Sequence, residues 1–199
     1  MKKELILILG GARSGKSAFA ERLARQGRRV LFVATAEARD EDMKRRIAAH
    51  RERRSSAWDT LEEPVDLVAA LRPVLDRYDT VLLDCLTLWV SNLLLSKRNN
   101  ANASNEILDS AGQLMDLIEE TGATWILVSN EVGLGVVPSS VLGRAYRDTL
   151  GQVNQAVASR ANRVCLMTAG LTLELKSLGA RPYTEWDFGP ISVDTEAGQ

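Results

Sequence analysis

The sequence carries almost no excess charge of either sign. Its 25 lysines and arginines face 26 aspartates and glutamates, leaving a net charge of −1 and a pI near 6.0. That balance excludes nucleic-acid binding through bulk charge and offers no polybasic surface for a membrane. Cysteine is scarce as well. Cys85 and Cys165 are the only two, each inside an apolar run and at no metal-ligand spacing. This excludes a disulfide scaffold and suits a reducing, cytoplasmic location. Histidine occurs once, at His50. No apolar run approaches the roughly 18 residues of a bilayer span. The opening Met1-Lys2-Lys3 precedes an apolar stretch, Leu5 to Leu9, that stops at Gly10-Gly11 with no small-residue cleavage site. It reads as a strand, not a targeting signal. Internal repeats are absent, as is the Asn-Lys-x-Asp motif with which the usual GTPases read guanine.

What is present is regular. A chain of 199 residues is enough for one domain at about 150 residues per domain, and it buries roughly 70% of its unfolded surface. Leu5 to Leu9, Val30 to Ala34, Thr80 to Asp84, Thr124 to Ser129 and Arg163 to Thr168 are short continuous apolar runs. Such runs are expected of parallel strands covered on both faces. Helical periods fall between them, near 16–26, 40–54, 64–76, 86–97, 105–121 and 141–161. Pro64 suits the first position of its helix, and Gly27 and Gly122 suit C-caps. Residues 99–105 read as a polar loop, and Leu171 to Leu175 as an antiparallel edge strand. The alternation predicts a three-layer α/β domain with a mainly parallel sheet. Its expected extent is 1–176, followed by a tail at 177–199 with no clear period.

The residues Gly10, Gly11, Ala12, Arg13, Ser14, Gly15, Lys16 and Ser17 complete the pattern G-x-x-x-x-G-K-[ST]. A strand precedes them and an amphipathic helix follows, the context in which backbone N–H groups converge on phosphate oxygens. Lys16 is placed to reach the β and γ phosphates and Ser17 to ligate Mg²⁺. Asp84 ends the run Thr80-Val81-Leu82-Leu83, where a metal-linked carboxylate belongs. It also suits an N-cap for the following helix, and both roles can hold. His50 lies in Asp40 to Arg54, a segment acidic at its start and basic at its end, as the helix dipole prefers. Met43, Ile47 and His50 share one expected helix face. The residues alone leave two readings open: a solvated basic helix with an incidental histidine, or a nucleophile among arginines. Asn130-Glu131-Val132-Gly133 follows a strand at its carboxyl end, the side where α/β sheets place ligands. Its residues suit either a substrate-side or phosphate-side role or a plain turn.

Several blocks together are more specific than the phosphate loop. They are Val33 to Glu37, Arg46 to His50, Trp58 to Glu62, Leu83 to Thr87, Val90 to Leu94, Val128 to Pro138, Arg147-Asp148 and Gly151 to Gln155. The chain resembles the bifunctional adenosylcobinamide kinase / adenosylcobinamide-phosphate guanylyltransferase family of cobalamin biosynthesis, over about residues 5–176. The resemblance implies a RecA-like P-loop NTPase fold. It also implies phosphorylation of adenosylcobinamide with ATP or GTP, then transfer of GMP to adenosylcobinamide phosphate. The family's GMP-carrying histidine matches His50. Its further nucleotide contacts match Thr35, Ala36, Glu37, Arg51, Glu52, Arg53, Arg54, Glu62 and Asp84. Where the family usually has Glu, this chain has Asp84, so the role there stays open between metal and nucleoside. The segment Arg51-Glu52-Arg53-Arg54 departs from the Gly and Lys often found in the family. A homotrimer with sites near subunit interfaces is implied too. Trp58, Trp89 and Trp125 read as core or interface residues rather than corrin-stacking platforms.

Overall fold

Each apolar run folds into a strand of one sheet. The computed structural model describes residues 3–38, 41, 44–45, 48, 51–52, 55–98 and 100–185. Its strands are β1 (Leu5–Gly10), β2 (Val30–Ala34), β3 (Asp59–Glu62), β4 (Thr80–Asp84), β5 (Thr124–Val128), β6 (Arg163–Thr168) and β7 (Leu171–Glu174). They lie in the order β3-β2-β4-β5-β1-β6-β7, all parallel except β7, which runs antiparallel to β6. The helices are α1 (Lys16–Ala24), α2 (Leu67–Leu71), α3 (Leu86–Ser96), α4 (Ala103–Glu120) and α5 (Val141–Arg160). This is the three-layer, mainly parallel α/β architecture that the alternation of runs predicts.

The absence of hydrophilic alternation in the strands has a direct cause. Leu5, Leu7, Leu31, Val33, Val81, Leu83, Trp125 and Leu127 point to one face, against the helices α2 to α5. Ile6, Ile8, Val30, Phe32, Leu82, Ile126 and Val128 point to the other, against Ala20 and Ala24 of α1. Helices cover both faces, so these positions are apolar almost throughout; the buried polar exceptions Thr80 and Thr124 stand at the first positions of β4 and β5. Leu7 and Leu83 are fully buried, and truncating either to alanine would cost about 2–5 kcal/mol. Trp89 and Trp125 are buried in the first of these clusters. Their indole N–H groups donate to Val65 O at 2.8 Å and Thr121 Oγ1 at 2.9 Å. Trp58 packs at the edge of the second.

Four details differ from the sequence reading. β3 was not foreseen. The helix expected over 64–76 starts only at Leu67, where the Asp66 carboxylate accepts from Ala69 N at 3.3 Å, and it stops at Leu71, short of Pro73. A 3₁₀ turn, Leu75–Arg77, takes up the remainder. The polar segment expected to be loop through residue 105 is already helical from Ala103. Neither Gly27 nor Gly122 takes a left-handed conformation; α1 and α4 are capped by Arg25 and Thr121. Residues 176–185 carry 3₁₀ turns at Lys176–Leu178 and Tyr183–Glu185. No helix among the described residues is long and apolar enough to cross a membrane.

Candidate active site

The sheet order places β1 between β5 and β6, and β5 between β1 and β4. The carboxyl ends of β1, β2, β4 and β5 therefore open along one edge, where loops can converge on a ligand. The glycine-rich loop leaves β1 at Gly10. A Cβ there would lie 2.3 Å from the Met167 carbonyl oxygen of β6 and 2.9 Å from Ser14 Oγ, so only glycine fits. Gly15 caps α1 with φ 98° and no side-chain cap, a left-handed turn that leaves the first N–H groups of α1 facing the loop. Two backbone bonds pin the loop from outside: Glu131 N donates to Gly10 O at 3.1 Å, and Gly170 N to Ser14 O at 3.1 Å.

Lys16 is 7% exposed. Its ammonium folds back to donate to Gly11 O at 2.6 Å and to Ser14 Oγ at 3.5 Å. Burial lowers its pKa from the ordinary lysine value, while the neighbouring Asp84 carboxylate pulls the other way. A desolvated cation that, among the described residues, hydrogen-bonds only to its own loop is a charge available to an anion.

Lys16 is one wall of a cleft of about 790 Å³. Ala12, Arg13, Lys16 and Ser17 line it from the loop, Ala36 from the end of β2, Glu62 from β3 and Asp84 from β4. Arg51 and Glu52 close the far side, and Arg51 forms an ion pair with Glu62. The described residues of 41–52 are helical, and Lys44, Ala48, Arg51 and Glu52 share the cleft-facing side. His50, Arg53 and Arg54 lie outside the described residues.

Thr35 and Glu37 do not line the cleft. Thr35 is fully buried, and its hydroxyl is engaged on both sides by the backbone of Cys85. Asn92 reinforces the corner by donating to Thr35 O at 2.8 Å and to Pro64 O at 3.2 Å. Thr35 thus holds the wall on which Ala36 and Asp84 stand. Burial pushes the adjoining Cys85 thiol up to about 12, so it stays protonated near neutral pH.

Several cleft residues were not singled out from sequence, among them Phe32, Lys44, Ala48, Thr87 and Leu88. Lys44 and Ala48 were recoverable from helical spacing, being at i and i+4 on one side with Arg51 and Glu52. Thr87 carried no local signal, because its hydroxyl is used by a residue far along the chain: it accepts from Asn130 N at 2.7 Å. The blocks around Arg147-Asp148 and Gln152–Gln155 line a separate cavity of about 490 Å³ beyond Glu131.

Comparison with known proteins gives a consistent result. A family model described as cobinamide kinase / cobinamide phosphate guanyltransferase matches residues 6–175. The chain is 49% identical over 172 residues to the bifunctional adenosylcobalamin biosynthesis protein CobP of Pseudomonas aeruginosa, spanning 85% of this chain and 96% of that protein. It is 37% identical over 180 residues to the bifunctional adenosylcobalamin biosynthesis proteins CobU of Escherichia coli and of Salmonella typhimurium. Each of those matches spans 86% of this chain and 99% of the relative.

Proposed function

Because the chain belongs to the cobinamide kinase / cobinamide phosphate guanyltransferase family, bifunctional enzymes of adenosylcobalamin biosynthesis, we propose that it performs both half-reactions in the one cleft. In the first, the hydroxyl oxygen of adenosylcobinamide bonds to the γ-phosphorus of ATP or GTP. The bond from that phosphorus to the β–γ bridging oxygen breaks, the nucleoside diphosphate departs, and the hydroxyl proton passes to solvent. In the second, a nitrogen of His50 bonds to the α-phosphorus of GTP and pyrophosphate leaves. A phosphate oxygen of adenosylcobinamide phosphate then displaces His50, giving adenosylcobinamide-GDP.

The observation that carries this reading is the composition of a single cleft. Phosphate-binding groups, Lys16 and Ser17 with the loop N–H groups, form one side, and Arg51, Glu52 and Glu62 form the other. Lys16 would neutralise the charge accumulating on the departing phosphates, and the loop backbone would orient them for in-line displacement. Arg51, held by Glu62, is positioned to offset charge on the phosphate attacked at the far side.

Among the described residues no group of three His, Cys, Asp or Glu could hold a metal unaided. That suits Mg²⁺, which keeps several waters and takes one or two protein oxygens together with phosphate oxygens. Ser17 and Asp84 both line the cleft and would be its protein ligands. When bound, Mg²⁺ supplies charge neutralisation across the phosphates. The catalytic unit is residues 1–176, with 177–199 as an appended tail. The assembly is a cytoplasmic homotrimer, with adenosylcobinamide and its phosphate as the acceptor substrates.

Pure protein incubated with adenosylcobinamide, GTP and Mg²⁺ should yield adenosylcobinamide phosphate and then adenosylcobinamide-GDP by mass spectrometry. Absence of both products would overturn the reading. Phosphorylated product alone would reduce the enzyme to a kinase.

A further inference from the structure

β5 stands between the strand that feeds the phosphate loop and the strand that ends in Asp84. In register, Val128 is paired with Ile8 on one side and with Asp84 on the other. Whatever side chain follows β5 is therefore delivered between the loop and Asp84. The first one that lines the cleft beyond the strand is Asn130.

Asn130 is held by backbone, not by side chain. Its neighbours are tied to the root of the phosphate loop, Ser129 N donating to Ile8 O at 2.9 Å and Glu131 N to Gly10 O at 3.1 Å. Its own N–H donates to Thr87 Oγ1 at 2.7 Å, and its own carbonyl accepts from Asn154 Nδ2 at 3.1 Å. Asn154 is 6% exposed, and its Oδ1 accepts from Ser129 Oγ at 2.7 Å, so both ends of its amide serve this one turn. A buried, fully satisfied polar network of this kind specifies a single geometry. Yet among the described residues the Asn130 carboxamide makes no hydrogen bond. A rigidly mounted amide with free donor and acceptor, facing a phosphate-binding cleft, is preorganised for a ligand.

Resting on the kinase reading above, we propose that Asn130 aligns the phosphoryl acceptor. Its Nδ2 donates to an oxygen of the transferred γ-phosphoryl group, while its Oδ1 accepts from the attacking hydroxyl. The amide is neutral and takes no proton: the hydroxyl oxygen bonds to phosphorus, the β–γ bridging bond breaks, and the proton leaves to water. A carboxylate in this place would repel the phosphate, whereas an amide supplies both polarities without charge. Asn154 is a positioning residue that acts through Asn130.

The test separates the two half-reactions in one protein. Asn130→Ala and Asn130→Asp are assayed for adenosylcobinamide phosphate formation, and for covalent label from α-labelled GTP. Removing one preorganised donor typically lowers kcat by about 10²-fold. The expected result is a kinase kcat loss of that order, with the nucleotide KM near the parent value and with labelling falling far less. Asn130→Asp should be no better than alanine. Asn154→Ala should give the same split at smaller size, since Asn130 is loosened but present. A kinase kcat within twofold of the parent in Asn130→Ala would overturn the proposal, as would parallel loss of kinase and labelling. A parent enzyme that labels but makes no phosphorylated corrinoid would instead overturn the kinase reading, and the proposal with it.

Discussion

The hydroxyl of Thr35 closes a two-bond ring on the backbone of Cys85, donating to its carbonyl at 2.7 Å and accepting from its N–H at 2.9 Å. This ring joins the end of β2 to the corner between β4 and α3, and so sets where Asp84 stands. The carbonyl keeps a second partner in Trp89 N at 3.2 Å, whereas the N–H has Thr35 as its acceptor. Thr35→Val keeps the shape and removes the acceptor, leaving a half-buried donor unpaired. A loss of about 1–3 kcal/mol in unfolding free energy is expected. Urea denaturation should show a lower midpoint with an unchanged slope. Thr35→Ser retains the oxygen and should lose much less. Equal stability of the valine variant and the parent would mean that the ring contributes nothing.

A second prediction concerns alkaline stability. Burial pushes the Cys85 thiol from its ordinary value of 9.0 up to about 12. Between these values the unfolded chain has lost the proton and the folded chain retains it. Stability must then fall as pH rises through that window, by up to about 1.4 kcal/mol per pH unit for one retained proton. Tyr146 is likewise pushed by burial from 10.0 to about 12 and adds to the slope at the upper end. Cys85→Ala should therefore show a shallower decline in unfolding free energy between about pH 8 and about pH 10.5 than the parent. Identical slopes in the two proteins would place the thiol in water.

The parts of this fold legible in the sequence are those whose cause is local. Val30–Ala34, Thr80–Asp84 and Arg163–Thr168 coincide with β2, β4 and β6 residue for residue, because burial on both faces writes an unbroken apolar run. β3 escapes that logic. Asp59–Glu62 is an edge strand with three exposed residues, and only Leu61 is apolar; its strand state comes from pairing with β2, a partner distant in sequence. The helix after Pro64 is short because Pro73 cannot supply an N–H and crowds the residue before it. The site divides in the same way. The loop from Gly10 to Ser17 is contiguous and was readable at once. The mounting of Asn130 on Thr87 and Asn154 joins residues 43 and 24 positions apart, so neither spacing nor period announces it.

Asp84→Asn tests the carboxylate itself. The amide has the same shape but lacks the charge for Mg²⁺, and it should lower the rate of adenosylcobinamide phosphorylation. If Asp84 holds the metal, raising Mg²⁺ should recover part of the lost rate, because weaker binding is offset by mass action. A rate that drops but ignores Mg²⁺ would move Asp84 to the nucleoside side of the site. An unaltered rate at every Mg²⁺ concentration would leave it as a strand terminus alone.

His50 should become covalently guanylylated by GTP. It is the chain's only imidazole, and a group titrating near neutrality is partly unprotonated and able to attack phosphorus. Arg46, Arg51, Arg53 and Arg54 adjoin it in sequence. Of these, Arg51 lines the same cleft as Lys16 and Ser17, so a triphosphate held by the loop can reach across to this segment. The bond formed is N–P, a phosphoramidate, which acid cleaves and alkali spares; a serine ester behaves differently. Protein incubated with α-labelled GTP and Mg²⁺ should carry label that acid removes and alkali leaves. His50→Ala should carry none, and should still phosphorylate adenosylcobinamide if the half-reactions are separable. Stable labelling of His50→Ala would refute the histidine route. So would an unlabelled parent that still makes adenosylcobinamide-GDP, because displacement at the α-phosphorus would then pass directly from GTP to the acceptor, leaving His50 as one more residue of a solvated basic segment.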